Sequence, residues 1–194
     1  MGLPSGTKWA SQNVGARKPS DYGLYFQWGD TKGYTKEQVG KGEGQKKFSS
    51  DWSDYKWGIS PNFTKYTTPG AILELEDDAA HVNMGGDWHM PTPTQINELL
   101  NTAYTTNEWT AQDGINGRLF TSKSDPSKSI FIPAAGYAWD GSFHFSSGGG
   151  ALVWSSMLDA DSAFYGQYLD FFSDNASLSN YDRYYGFSVR GVVG

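Results

Sequence analysis

The residues of this chain that could carry out chemistry are few, and their spacing argues against catalysis. Its three histidines, His81, His89 and His144, form no His-x-x-x-His pattern, so no helix offers a metal ion two imidazoles on one face. Cysteine is absent, which removes disulfides, thiolate metal sites and cysteine nucleophiles together. Ser155-Ser156 follows Trp154 without a Gly-x-Ser-x-Gly context and reads as a buried turn. Two carboxylate pairs occur, Asp77-Asp78 and Asp159/Asp161. Adjacent Asp side chains on a helix diverge, so Asp78 is expected to face solvent or to cap a neighbouring loop. The second pair sits in a loop, where aspartates more commonly solvate than share a calcium ion. No catalytic residue, metal or cofactor is expected. Asn62-Phe-Thr64 and Asn175-Ala-Ser177 fit the glycosylation pattern, which is too short to decide anything.

Recognition chemistry is better represented. From Ser129 onward there is no Lys and no Glu, and Asp159 to Tyr185 is built almost wholly from Tyr, Phe, Ser, Asp, Asn and Gly. Tyr gives stiff amphipathic contact area with few rotors, while Ser, Asn and Gly give adaptable hydrogen bonding. Gln167 to Phe172 alternates, placing Leu169 and Phe171 on one strand face and Tyr168, Asp170 and Phe172 on the other. A ligand-binding surface is therefore expected over about residues 139–186. Leu169, Phe171 and Leu178 would hold the fold. Tyr168, Asp170, Phe172, Ser177 and Ser179 would face the partner, joined by Phe164, Tyr165, Asn180, Tyr181, Asp182 and Tyr185. Phe143, His144 and Leu152 would complete the patch from preceding segments.

Charge narrows the partner. The net charge is −6, and residues 129–194 carry two Arg against six Asp, which is −4 of that total. Such a field repels phosphate backbones and anionic lipid, so nucleic acid and membrane surfaces are disfavoured. A protein ligand with a basic or neutral epitope is the expected partner. Carbohydrate is the alternative, since Trp139, Tyr and Asp side chains also suit sugar stacking and hydroxyl contacts. Arg190 reads as structural, leaving Arg183 as the basic contact. No apolar run approaches membrane-spanning length, and Met1-Gly-Leu-Pro4 lacks a basic-then-apolar leader.

The elements that must position these residues are short. At 194 residues the chain fits one domain, and 16% aromatics with 24 Gly indicate a loop-rich fold with a core of rings. Gly2 to Ala16 reads as an opening strand with Trp9 and Val14 in the core, and Thr31 to Ser60 as a surface excursion pinned by Trp52, Tyr55 and Trp57. Spacings of three and four place Ile72, Leu75, Ala79 and Val82 on one stripe, predicting a helix over 71–82 stopped by Gly85-Gly86. Thr92-Pro93-Thr94-Gln95 is a capping box with Pro at the first helical position, and Ile96, Leu99, Leu100 and Ala103 would follow as its buried face. Beyond Trp109 the chain reads as strand and turn, including Ser129 to Pro133 as a buried strand, Asp140-Gly141 as a turn, Gly148 to Gly150 as a flexible loop and Phe187 to Val192 as the closing strand.

Two helices followed by short antiparallel strands and long loops make an α+β fold whose order resembles the C-type-lectin-like, formylglycine-generating-enzyme-like architecture. Eight ordered landmarks carry a closer resemblance: Leu3-Pro-Ser-Gly-Thr-Lys-Trp9, Asn13-Val-Gly-Ala16, Tyr22 to Trp28 with Gly29-Asp30, Leu75-Glu-Asp-Asp-Ala-Ala-His81, Gly85-Gly-Asp-Trp-His-Met-Pro-Thr92, Ile132-Pro-Ala-Ala-Gly-Tyr137, Trp154-Ser-Ser156 and Arg183-Tyr-Tyr-Gly-Phe-Ser-Val-Arg190. Spread over essentially the whole chain, they resemble the Fibrobacter-type major paralogous domain family. Within it, Trp-Ser-Ser followed by an Asn/Tyr/Ser/Asp-rich stretch and a Gly-x-Ser-Val-Arg end resembles the variable proteins of diversity-generating retroelements. The resemblance implies a C-terminal variable region displayed on a lectin-like scaffold to bind a target, at a cell surface or on a phage particle. The chain departs from the pattern at Gly191, where Pro is usual, and at Gly166-Gln167, which replace an Ala-Trp pair. The related branches that generate formylglycine or oxidise sulfur use cysteines or three iron-bound histidines, and this chain lacks both patterns.

Overall fold

The computed structural model describes residues 1–145 and 148–194, so 146 and 147 of the 139–186 stretch lie outside the described residues. The first half carries β1 (Lys8–Trp9), β2 (Tyr25–Phe26), a hairpin of β3 (Gly58–Ile59) and β4 (Asn62–Phe63), and the helices α1 (Ala79–Met84) and α2 (Pro93–Leu100). A meander follows, β5 (Thr105–Gln112), β6 (Ile115–Ser122) and β7 (Ser129–Pro133), then a hairpin of β8 (Tyr137–Trp139) and β9 (Ser142–His144). The chain ends with β10 (Gly150–Leu158), β11 (Tyr165–Phe172), β12 (Ala176–Asp182), β13 (Phe187–Ser188) and β14 (Val192–Val193). The architecture is α+β, mostly strand with two helices.

The central sheet has the order β12-β11-β10-β13-β2, and the two ends of the chain pair as β1 against β14. Its long strands are antiparallel and in plain register, with Leu152 opposite Asp170, which is itself opposite Ser177. Between Trp154 and Leu158 the register shifts. Ser155 and Ser156 are thus buried in a bulged strand rather than in a turn, and the freed Ser155 carbonyl accepts the Trp28 indole N–H at 3.0 Å.

One sheet face packs on α2 and the meander. Ala151, Val153, Leu169 and Phe171 join Ile96, Leu99, Phe120 and Ile132 there, with Leu178 packed at the margin. The second cluster holds Phe26, Trp28, Trp154, Tyr168 and Phe187, with Trp154 and Phe187 stacked at 4.0 Å. Gly166 lies where these rings meet. A Cβ there would come within 2.8 Å of Trp28 and 3.0 Å of Trp154, so the Ala-Trp pair usual in the resembling sequences could not keep this packing.

The capping box of α2 forms as its sequence dictates. Thr92 accepts from the Gln95 backbone N–H at 3.2 Å, and Gln95 accepts from the Thr92 N–H at 2.9 Å. The helix ends at Leu100, so Ile96 and Leu99 are buried while Ala103 lies beyond it, exposed. The helix expected over 71–82 forms only in its last part, as α1 from Ala79 with Gly85 as its C-cap. Residues 71–73 run extended beside the end of β10, with Ile72 bridging Met157 and the Leu73 N–H bonded to the Ser156 carbonyl. Of the apolar residues of that segment, Leu73, Ala79 and Ala80 are buried and Ala71 packs half-buried against the core, whereas Ile72, Leu75 and Val82 are exposed. Tertiary pairing thus overrides an accidental helical period. α1 starts at Asp78, whose carboxylate caps the His81 N–H and also holds the Met90 N–H, so it caps a neighbouring loop as well as its own helix. The opening strand is likewise shorter than expected: only Lys8–Trp9 is extended and paired, although Trp9 and Val14 are buried.

Candidate functional site

The site grows from β11. Alternation turns Leu169 and Phe171 fully inward, and the opposite face carries Tyr168, Asp170 and Phe172. Antiparallel register adds Leu152 from β10 and Ser177, Ser179 and Tyr181 from β12 to the face of Tyr168 and Asp170. On this face a cleft of about 200 Å³ opens, lined by Leu152, Tyr168, Asp170, Phe172, Tyr181 and Tyr185 together with Tyr137, Phe145 and Phe187. Larger clefts of about 350 Å³ beside Trp9 and about 500 Å³ beside Leu24 receive no residue of the 139–186 stretch.

The walls are fixed by ring packing. Phe145 meets Phe172 edge-on at 5.1 Å and Tyr137 at 5.6 Å; Tyr137 lies 5.6 Å from Tyr185, which meets Tyr181 at 4.6 Å. Phe187 and Tyr168, 5.0 Å apart, connect this ring of rings to Trp154 beneath. Edge-to-face and tilted contacts hold these rings in place, with His144 stacked on Tyr137, and Trp139 and Tyr184 stacked on Tyr185. Burial pushes the Tyr168 hydroxyl up to about 12 and raises Tyr137 and Tyr185 as well, so the walls are neutral phenols near pH 7.

Asp170 is the only charged group among the lining residues. Burial raises its pKa. No hydrogen bond or ion pair to its carboxylate is present among the described residues. A second cleft, of about 340 Å³, lies at the end of the same hairpin, formed by Tyr165, Asn180, Tyr181 and Asp182. Asp182 also has a pKa raised by burial, and Tyr181 belongs to both clefts.

Measured against expectation, the structure divides the predicted residues. Leu152, Tyr168, Asp170, Phe172, Tyr181 and Tyr185 converge in one cleft, and Tyr165, Asn180 and Asp182 in its neighbour. Ser177 and Ser179 sit on the accessible edge strand. Phe164 stands apart at the other end, against Phe63 at 5.6 Å. Phe143 turns away and packs on Tyr25 at 4.8 Å, because the β8–β9 hairpin alternates and its neighbour His144 takes the position over Tyr137, stacked at 4.9 Å. Tyr168 is 5% exposed and Tyr185 7%, so both are walls built into the core rather than free contacts. Trp139 is half-buried and stacked on Tyr185, which covers a face that a sugar would need.

The expectation for Arg183 is overturned. Its side chain is fully buried, with the guanidinium 3.8 Å from the Phe63 ring centre, 5.3 Å from Tyr55 and 5.6 Å from Trp28, and it donates to the Tyr66 carbonyl at 2.8 Å. Arg190 is structural, bonded to Asn13 Oδ1 and to the Ala10 and Phe131 carbonyls at 2.9–3.0 Å. With both arginines buried, every accessible side-chain charge after residue 128 is an aspartate. Of these, Asp140 is taken up by Lys41 and Lys47.

Tyr137, Phe145 and Phe187 complete the cleft and were not singled out from sequence. The available signal was the Asp140-Gly141 turn, with φ of 45° and 71°, whose hairpin register sets Tyr137 opposite His144. Asp159 accepts from Asn180 at 3.0 Å, and no three His, Asp or Glu residues converge as a metal site among the described residues. No described helix is long and apolar enough to cross a membrane. Comparison with protein-family models, with curated proteins and with solved structures gives no match.

Proposed function

We propose that this chain is a ligand-binding protein with a C-type-lectin-like fold that presents a diversifiable C-terminal surface, as the resembling retroelement variable proteins do. A protein ligand engaged at a cell surface or on a phage particle fits the reading, and no catalytic role is assigned. The observation that carries it is the division of labour on β11. Leu169 and Phe171 hold the core from one face, while Asp170 and Phe172 on the other line an open cleft with Tyr181 of the edge strand.

The family landmarks support the same reading, because their residues do scaffold work: Trp28 and Trp154 are buried, Asp78 and Thr92 cap the helices, and Arg190 ties the two ends of the chain to β7. Among the polar and aromatic positions of the hairpin, Tyr168 shares that duty, whereas Tyr165, Ser177 and Tyr181 stand at the accessible surface. The test is genetic. The 3′ end of the gene should have a near-copy nearby that differs chiefly at adenines, beside a reverse transcriptase gene. Absence of that copy, with a saturable sugar on a glycan array competing at this cleft, would replace the reading with a fixed carbohydrate-binding module.

A further inference from the structure

The geometry points to the cleft around Asp170 as a receptor for one alkylammonium group, the side chain of a lysine on a protein ligand. This rests on the ligand-binding reading and names the chemistry of its central contact. Three observations converge. Rings enclose the cleft on several sides, with Tyr137, Phe145, Phe172, Tyr181 and Tyr185 linked by successive contacts of 4.6–5.6 Å. Ring faces attract a cation, more strongly once it is desolvated. One carboxylate lies among them with no ion-pair partner from the described residues, and the surface around it has no accessible basic side chain from residue 129 onward.

A neutral or anionic occupant would leave that carboxylate half-buried and uncompensated, which costs free energy on every binding event. A lysine ammonium compensates it, and the four-carbon stem matches the rings lining a cleft of about 200 Å³. The protein already seats cations on rings elsewhere: the Arg183 guanidinium rests on Phe63, Tyr55 and Trp28, and the Lys56 ammonium lies 4.4 Å from the Trp57 ring centre. Asp182 at the neighbouring cleft, the half-buried Asp159 and the exposed Asp161 add a field that steers a basic epitope toward the site.

The probe is n-butylammonium, titrated into the full chain by NMR and compared with butan-1-ol. Butylammonium should bind at least tenfold more tightly than the alcohol and shift the resonances of Tyr181 and Phe172. Asp170→Asn should weaken it at least tenfold, and Asp159→Asn, outside the cleft, should leave it within twofold. Binding should also fade as the pH is lowered through the raised pKa of Asp170. Equal affinity for the two probes, equal losses in the two variants, or no saturable ammonium binding would each overturn the inference. The ligand-display reading fails separately: it falls if substitutions at Ser177, Ser179 and Tyr181 unfold the protein, whatever butylammonium does.

Discussion

Two aromatic enclosures sit on this molecule, one closed by the chain itself and one left open. In the first, Arg183 fills the space between Phe63, Tyr55 and Trp28, and its Nε and one Nη have no hydrogen-bond acceptor among the described residues. In the second, Tyr137, Phe145, Phe172, Tyr181 and Tyr185 line a cleft with a carboxylate and, among the described residues, no cationic side chain. The difference lies in what each offers the fold. The filled enclosure joins Tyr55 of the excursion over Thr31 to Ser60, and Phe63 and Tyr66 just after it, to the sheet, so its cation is a structural part. The open one is a concave, ring-lined space with a single polar group, the composition of a binding site.

Truncations test that division most strongly where a ring serves both parts. Trp154→Ala and Phe171→Ala should each cost about 3–5 kcal/mol in urea unfolding, as for buried large rings. Tyr168→Ala should fall in the same range although the residue lines the open cleft, because it is packed against Trp154 and Phe187. A loss under about 1 kcal/mol for Tyr168 would mean the cleft floor is separable from the core. Next in size is Arg183→Ala, expected to cost about 2–3 kcal/mol through lost packing and an unpartnered Tyr66 carbonyl. Arg183→Met should recover part of that by refilling the space. If both variants are as stable as the parent, the enclosure is not a structural joint.

How much of this was legible beforehand follows from the range of the interactions. The capping box at Thr92, the buried strand over 129–133, the turn at Asp140-Gly141 and the two faces of β11 were readable because each depends on residues close in sequence. The α+β class was readable for the same reason. The stripe over 71–82 misled because the hydrogen bonds of 71–73 go to β10, more than eighty residues away in sequence. Arg183 misled because its ring partners come from Trp28, Tyr55 and Phe63, which no local pattern connects to it. The core of the candidate site was legible from alternation, but its far wall was not, since Tyr137 and Phe145 arrive from a separate hairpin.

A smaller effect should mark the open side. Simultaneous replacement of Tyr165, Ser177, Ser179 and Tyr181 should leave the Tm within a few degrees, since exposed substitutions cost within about 0.5 kcal/mol each. If this set costs as much as Phe171→Ala, the two faces of β11 share one structural role and the display reading fails.

The smallest expected change in stability is the most diagnostic, because its sign should oppose that of its effect on binding. Burial raises the Asp170 pKa above its unfolded value. In the window between those values the folded state holds more of the proton, so this group adds stability below the unfolded pKa and loses it as pH rises through the folded pKa. At neutral pH the side chain is therefore a charged burden that the fold does not compensate. Asp170→Asn removes it with little change of shape. The variant should melt at the same temperature as the parent or slightly above it near pH 7, and that small advantage should vanish on acidification as the parent's carboxyl protonates. The same substitution should weaken alkylammonium binding at least tenfold. A group that the fold would gain by neutralising and the ligand cannot do without is the pattern of a residue placed for function. Differential scanning of both proteins across pH checks it. A variant that is clearly less stable than the parent at neutral pH would show Asp170 to be a structural carboxylate whose partner lies within the chain.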